Sequence, residues 1–235
     1  MAQHWRGDRE SLEDEAARAL VGPAFGLGSL DEVARRLTGL DGYRQAFAAA
    51  FPGDLAPLGA KRFGDAIAAF ERTLRTPAPL DAFLAGDVRV LDGPARAGLA
   101  AFLDLGCASC HTGPLLGGAS FEKFGVARDY RALTGSSGAD AGRFDVTGLE
   151  ADRDVFKVPP LRNVTHTAPY FHDGSVGSLA GAVRVMAAAQ LGYDLAPTAI
   201  EPLVAFLGAL GGELPRGFSA PPEPIPALAL PASAP

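Results

Sequence analysis

The chain has 235 residues, of which 48% are hydrophobic and 20% charged, enough to bury one large or two small globular cores and too apolar for a disordered polymer. Its formal net charge is −6, from 21 basic and 27 acidic residues with no long block of either sign, so nucleic acid and anionic membrane are poor partners and a basic protein a better one. No run approaches the ~18 consecutive apolar residues of a membrane span. The opening MAQHWRGDRESLEDEAARAL lacks the layout of a signal peptide, which leaves a cytoplasmic protein or a chain whose front end is missing.

Residues 8–50 carry helical signals. DRESLEDEAARAL combines a Ser11 cap with acidic first-turn residues, and SLDEVARRLTGL repeats the pattern from Ser29 with Leu30, Val33 and Leu37 on one face. GYRQAFAAAF follows, then the break PGDLAPLG. The run AKRFGDAIAAFERTLRT places Phe63, Ile67, Phe70 and Leu74 at helical spacing and is expected to stop at Pro77. After Pro94, PARAGLAAFLDLG predicts a further helix with Leu99, Phe102, Leu103 and Leu105 apolar, stopped by Gly106. Residues 117–157 are rich in Gly, Asp, Arg and Ser and predict a long excursion with little regular structure, of the kind that is functional or held by something other than its own packing. SLAGAVRVMAAAQLG and APTAIEPLVAFLGALGG predict two closing helices, and from Glu213 a Pro/Ala tail is expected to be extended. With no internal repeat and no strong run of strands, the fold class is mainly α.

The only two cysteines, Cys107 and Cys110, stand in GCASCHTG directly before His111. C-x-x-C-H is the pattern of covalent c-type heme attachment: two thiols add across the porphyrin vinyl groups and the adjacent histidine becomes an axial iron ligand. A structural zinc site would need about two further ligands, and the remaining His4, His166 and His172 form no second knuckle. A thioredoxin-like dithiol expects a βαβ context that the flanks lack, and a disulfide over so short a loop contributes little. Heme attachment requires reduced thiols and export-side machinery, which points to the periplasm and to a trimmed or truncated chain. The sixth iron position falls to Met186, on the second-last helical stretch, or to His166 or His172 in NVTHTAPYFHDGS; core packing is the ordinary role of such a methionine.

The segment FKVPPLRNVTHTAPYFHDGSVGSLAGAVRVMAAAQLG, with HWRGDRESLEDEA, AIAAFERTLRTP, GCASCHTGPLLGG and GRFDVTG, resembles the bacterial diheme cytochrome c peroxidase family, which includes the diheme enzymes of methylamine-dehydrogenase maturation. The resemblance implies a cytochrome c-like heme domain with long loops at 93–214, preceded at 1–92 by the helical remainder of a second, N-terminal heme domain and followed at 215–235 by the tail. In that family peroxide is reduced at the N-terminal heme, and the C-terminal heme is a His/Met electron-transfer centre fed by a small donor cytochrome c or copper protein. The motif here matches the second site. The implied residues are Cys107 and Cys110 as attachments, His111 and Met186 as iron ligands, and Trp5 as a stepping stone for electrons. Thr167 and Pro169 match backbone-carbonyl ligands of the family's calcium, whose asparagine would lie before Met1. One heme c, calcium, hydrogen peroxide as the substrate of the intact parent and self-association into a homodimer complete the expectations. Two departures stand out: the chain holds a single C-x-x-C-H, and Phe25 occupies the place of an acidic residue near peroxide, where phenylalanine shuttles no proton. A monoheme electron carrier and a maturation-type oxidase acting on a partner protein are the alternatives.

Overall fold

The computed structural model describes residues 1–54 and 58–214; the expected tail at 215–235 lies outside the described residues. Ten α-helices and one pair of three-residue strands are present among them, so the chain is mainly α, as its periodicity predicts. Contacts divide it into two compact units. One is built from Arg9–Arg75, with Ala2; the other from Gln3–Asp8, with Met1, and Thr76–Leu214.

The first unit holds α1 (Leu12–Ala19), α2 (Leu30–Thr38), α3 (Asp41–Ala50) and α4 (Ala60–Glu71). Ser11 and Ser29 cap α1 and α2, each hydroxyl accepting from the third residue on, Asp14 and Glu32. The expected apolar face of α4 is corrected. Phe70 is 54% exposed, and the helix ends at Glu71, ahead of Pro77. The buried positions are Gly64 and Ala68, because α4 lies so close to α1 that a Cβ at Gly64 would collide with the Glu13 carbonyl. Small residues carry this contact where side-chain hydrophobicity points elsewhere.

The second unit begins with α5 (Pro79–Leu84), a helix the sequence reading omits, then α6 (Gly93–Asp104), β1 (Phe121–Lys123), α7 (Tyr130–Thr134), α8 (Phe144–Thr147), β2 (Val155–Lys157), α9 (Leu179–Leu191) and α10 (Pro197–Gly208). The excursion at 117–157 is thus more regular than expected. β1 and β2 pair antiparallel, Glu122 opposite Phe156, and the β2 residue Lys157 donates its N–H to the Trp5 carbonyl at 2.7 Å. Of the expected apolar face of α6, Phe102 is buried whereas Leu103 is 56% exposed.

α6 packs on α10. Gly98 faces the Pro202 carbonyl with no space for a Cβ, Phe102 meets Phe206 with ring centroids 5.2 Å apart, and Phe206 and Leu210 are fully buried. A second cluster gathers Phe124, Tyr130, Phe156, Val185 and Ala189, with Phe124 stacked on Tyr130 at 4.3 Å. Replacing Gly98 by Ala is expected to lower unfolding free energy by about 3 kcal/mol, the upper range of overpacking, because backbone rather than a flexible side chain must move. Denaturant titration checks this, and a loss below about 0.5 kcal/mol would contradict the close approach.

Candidate functional site

The C-terminal end of α6 delivers the cysteine motif. Leu105 closes the helix, Gly106 turns the chain at φ +87°, a left-handed conformation suited to glycine, and Cys107–Ser109 form a 3-10 turn. The His111 amide donates to the Cys107 carbonyl at 3.1 Å, so the two thiols and the imidazole issue from one compact turn. Both cysteines are free and half-buried, and burial pushes the Cys107 thiol up. No disulfide closes the motif.

His111 is held from outside the motif. Its Nδ1 lies 3.1 Å from the carbonyl oxygen of Leu116, itself in a left-handed conformation at φ +48°. A carbonyl only accepts, so Nδ1 carries the proton and Nε2 keeps its lone pair. Burial also pulls the imidazole pKa below its usual value, which favours the neutral ring. The loop that supplies Leu116 is stitched to the following segment: Gly118 N–H donates to the Val158 carbonyl at 2.7 Å and Leu161 N–H to the Leu115 carbonyl at 3.1 Å. Gly117, at φ +134°, has no space for a Cβ beside the Pro159 carbonyl. Arg162 reaches across, giving one hydrogen bond to the Pro114 carbonyl at 2.9 Å and two to the Asp81 carboxylate at 2.6 and 2.8 Å.

Met186 comes from α9, which Gln190 clamps: its side-chain oxygen accepts from Gly125 N–H at 2.7 Å and its amide donates to the Lys123 carbonyl at 3.0 Å. Cys107, Cys110, His111 and Met186 line one cavity of about 410 Å³, within the ~300–1,000 Å³ of cofactor pockets. Its wall draws on both clusters, Phe102, Leu203 and Leu207 from one, Phe124 and Phe156 from the other. Trp5 and His172 complete it, edge to face at 6.4 Å. His172 stacks on Phe156 at 4.1 Å, and burial lowers its pKa. His166 is exposed and is not among the lining residues.

Thr167 and Pro169 flank the cis Ala168–Pro169 bond at an exposed turn, with the Thr167 hydroxyl donating to the Val164 carbonyl at 3.1 Å. Among the described residues, no three His, Cys, Asp or Glu side chains gather as a metal cluster. Phe25 belongs to the first unit and is 61% exposed. Sequence reading missed Leu116, Arg162, Asp81 and Gln190. Only Gln190 left a signal, a lone amide on an Ala-rich helical run. A heme fits this site: paired thiols, a neutral imidazole and a soft thioether are the donors it needs, set in a largely apolar wall.

Comparison with known proteins places the chain in a family. The family model for di-haem cytochrome c peroxidase matches residues 1–89. The cytochrome c551 peroxidase of Pseudomonas aeruginosa is 42% identical over 216 residues, 92% of this chain and 62% of the relative. The cytochrome c peroxidase Ccp of Escherichia coli is 39% identical, over 89% of this chain and 45% of its own length. The methylamine utilization protein MauG of Methylorubrum extorquens is 36% identical over 76% of this chain and 49% of the relative. The chain therefore spans roughly half to three fifths of these relatives. A MauG-like protein associated with microbial copper homeostasis superposes with TM-score 0.69 at 26% identity, covering 86% of this chain and 69% of that one. The diheme peroxidase BthA of Burkholderia thailandensis shares the fold alone, with TM-score 0.69 at 18% identity over 90% of this chain and 66% of that one. Fold and site thus define a mainly α chain of the cytochrome c peroxidase class. More particularly, the chain belongs to the diheme cytochrome c peroxidase and MauG family.

The Asp81–Arg162 pair tests how the motif loop is held. The Arg162 guanidinium, followed by the Ala78 N–H at the start of α5, keeps the Asp81 carboxyl below its ordinary pKa. A lowered folded pKa means stability present above the unfolded value and lost as pH falls through the folded one. Asp81→Asn is expected to cost about 1 kcal/mol at pH 7, discounted for partial exposure. The deficit should shrink below pH about 4 as the wild-type carboxylate protonates; denaturation curves at pH 7 and pH 3 check both.

Proposed function

We propose that this chain binds one covalent c-type heme through Cys107 and Cys110, and that His111 and Met186 would hold its iron. It then acts as the electron-transfer part of a periplasmic peroxidase that reduces hydrogen peroxide to water. The observation that carries this reading is that the C-x-x-C-H turn at the end of α6 and Met186 on α9, distant in sequence, line one apolar cavity. When bound, the heme supplies reversible one-electron transfer. The unit built from Gln3–Asp8 and Thr76–Leu214 is then the C-terminal cytochrome c domain, and the helices of Arg9–Arg75 belong to an N-terminal one.

The residues have separable tasks. His111 offers Nε2 because Leu116 takes its Nδ1 proton. Met186 offers a soft thioether, which favours the reduced metal and a raised potential. Phe102, Phe124, Phe156 and Leu207 keep water out and thereby limit solvent reorganisation on electron transfer. Trp5 reaches the same wall from the N-terminal segment, an aromatic relay on an electron's way out. Electrons would arrive from a small cytochrome c or copper protein.

A second reading, an electron carrier without peroxidase activity, is favoured by Phe25, whose exposed ring stands where the family resemblance implies an acid. Turnover of hydrogen peroxide with a reduced donor by the 235-residue chain would exclude it.

Expression in a periplasm with c-type maturation machinery, followed by heme staining of a denaturing gel, tests attachment. Stain should survive denaturation in the wild type and vanish in Cys107→Ser/Cys110→Ser. Met186→Ala should remove the sulfur-to-iron band at the red end of the visible spectrum. It should also lower the midpoint potential by more than about 59 mV, tenfold in a one-electron equilibrium constant. An unchanged spectrum and potential would assign the sixth position to a histidine.

A further inference from the structure

The segment Gln3–Asp8 packs with the second unit, although the chain that follows it, from Arg9, belongs to the first. It is anchored at consecutive residues. The Trp5 carbonyl accepts the N–H of Lys157 on β2 at 2.7 Å. Gly7, at φ +69°, lies against the Phe121 ring of β1 with no space for a Cβ, and the Arg143 guanidinium sits over that ring, 4.5 Å from its centroid. Between the two, Arg6 donates from Nε to the Asp140 carboxylate at 2.9 Å and lies 3.4 Å from the Asp145 carboxylate. Asp140 is itself aimed by the main chain, since the same oxygen accepts the Gly142 N–H at 2.8 Å. Burial pushes the Asp140 carboxyl up, yet Arg6 and the Gly142 N–H outweigh it and leave the group below its usual pKa, charged beside Arg6. The loop that carries both carboxylates is fixed to β2, where Arg143 N–H donates to the Val155 carbonyl at 2.8 Å. The Arg6 and Trp5 anchors thus refer the segment to one strand.

A short terminal segment stays ordered only through contacts of this kind. Resting on the relay role given to Trp5 above, we propose that Arg6 is a positioning residue for electron transfer: its bond to Asp140 holds Gln3–Asp8 on the second unit and so keeps the Trp5 indole in the cavity wall. An arginine suits the task because its planar fork meets two carboxylates of one loop. Electron tunnelling weakens steeply with distance, so a segment that opens takes its ring out of the path. The Trp5 carbonyl fixes the backbone alone, whereas the Arg6 clamp limits how often that bond opens.

The test is hydrogen exchange at the Lys157 amide of the heme-loaded chain, read by NMR, because its bond to the Trp5 carbonyl must open before it exchanges. Arg6→Gln should speed that exchange about fivefold, the upper range for a partly exposed ion pair, and Arg6→Lys should stay within about twofold of wild type. The amides of Phe206 and Leu210 should not change. Equal exchange at Lys157 in wild type and Arg6→Gln overturns the clamp, and so does an equal acceleration at Phe206 and Leu210, which marks a general loss of stability. Trp5 is the chain's single tryptophan, so emission reports on it alone. Beside a heme the docked indole is dark and light comes from the open fraction. Emission should therefore rise in Arg6→Gln by the same factor, and unchanged emission overturns the link to Trp5. Should Arg6→Gln yield no folded chain, Asp140→Ala removes the bond from its other side and is read in the same way. Wild-type chain that takes no heme stain sinks the relay reading alone, because Lys157 exchange in the heme-free chain still decides the clamp.

Discussion

The contact between α6 and α10 at Gly98 is the constraint on which the rest of the second unit depends. With no side chain at 98, the α6 backbone rests against the carbonyl of Pro202, inside α10. That approach lets Phe102 meet Phe206 and fixes the direction in which α6 points when it ends at Gly106. The cysteine turn inherits its place from this packing, since a 3-10 turn of three residues has no cooperativity of its own. Past the end of α10 the same rigidity is passed on. The Leu210 carbonyl accepts from Asn163 N–H at 3.2 Å, and the Asn163 amide donates to the Thr76 hydroxyl at 2.8 Å and accepts from Gly212 N–H at 3.0 Å. Asn163 therefore ties the start of the unit, the end of α10 and the wall segment together.

Two hydrophobic clusters stand apart across the cavity, and polar stitching is what keeps them apart. Cys107 packs with the cluster around Phe206, Met186 with the cluster around Tyr130. The main-chain bonds between residues 115–118 and 158–161, the Arg162 bridge and the Gln190 clamp each fix a wall segment through backbone atoms.

Much of this was legible in the sequence where the cause is local. Ser11 and Ser29 read as caps and are caps, and Gly106 reads as a stop and lies in the left-handed region. The C-x-x-C-H run is legible because its chemistry needs only neighbouring residues. The illegible parts have non-local causes. α4 buries Gly64 and Ala68 because α1 comes close, which no hydrophobic period reveals. Strands of three residues are too short for alternation to register, and α5 is six residues long. Leu116 matters through its carbonyl, and an acceptor on the main chain leaves no mark on residue type.

His172 and Met186, which line the same cavity as His111, are held there in different ways. His172 is engaged on every side: it stacks on Phe156 and meets Tyr130, Phe124 and Trp5 edge to face, at 5.7, 6.4 and 6.4 Å. Its Nε2 has no hydrogen-bond partner among the described residues, so the ring sits as a neutral polar edge beside Trp5. Met186 packs against the same cluster, through the non-directional contacts of a thioether. An unbranched thioether reaches its position through three soft torsions, on a helix that Gln190 anchors four residues further along. The protein thus packs its histidine ring among four aromatic neighbours in the wall, whereas its methionine meets the same wall through a flexible, unbranched stem.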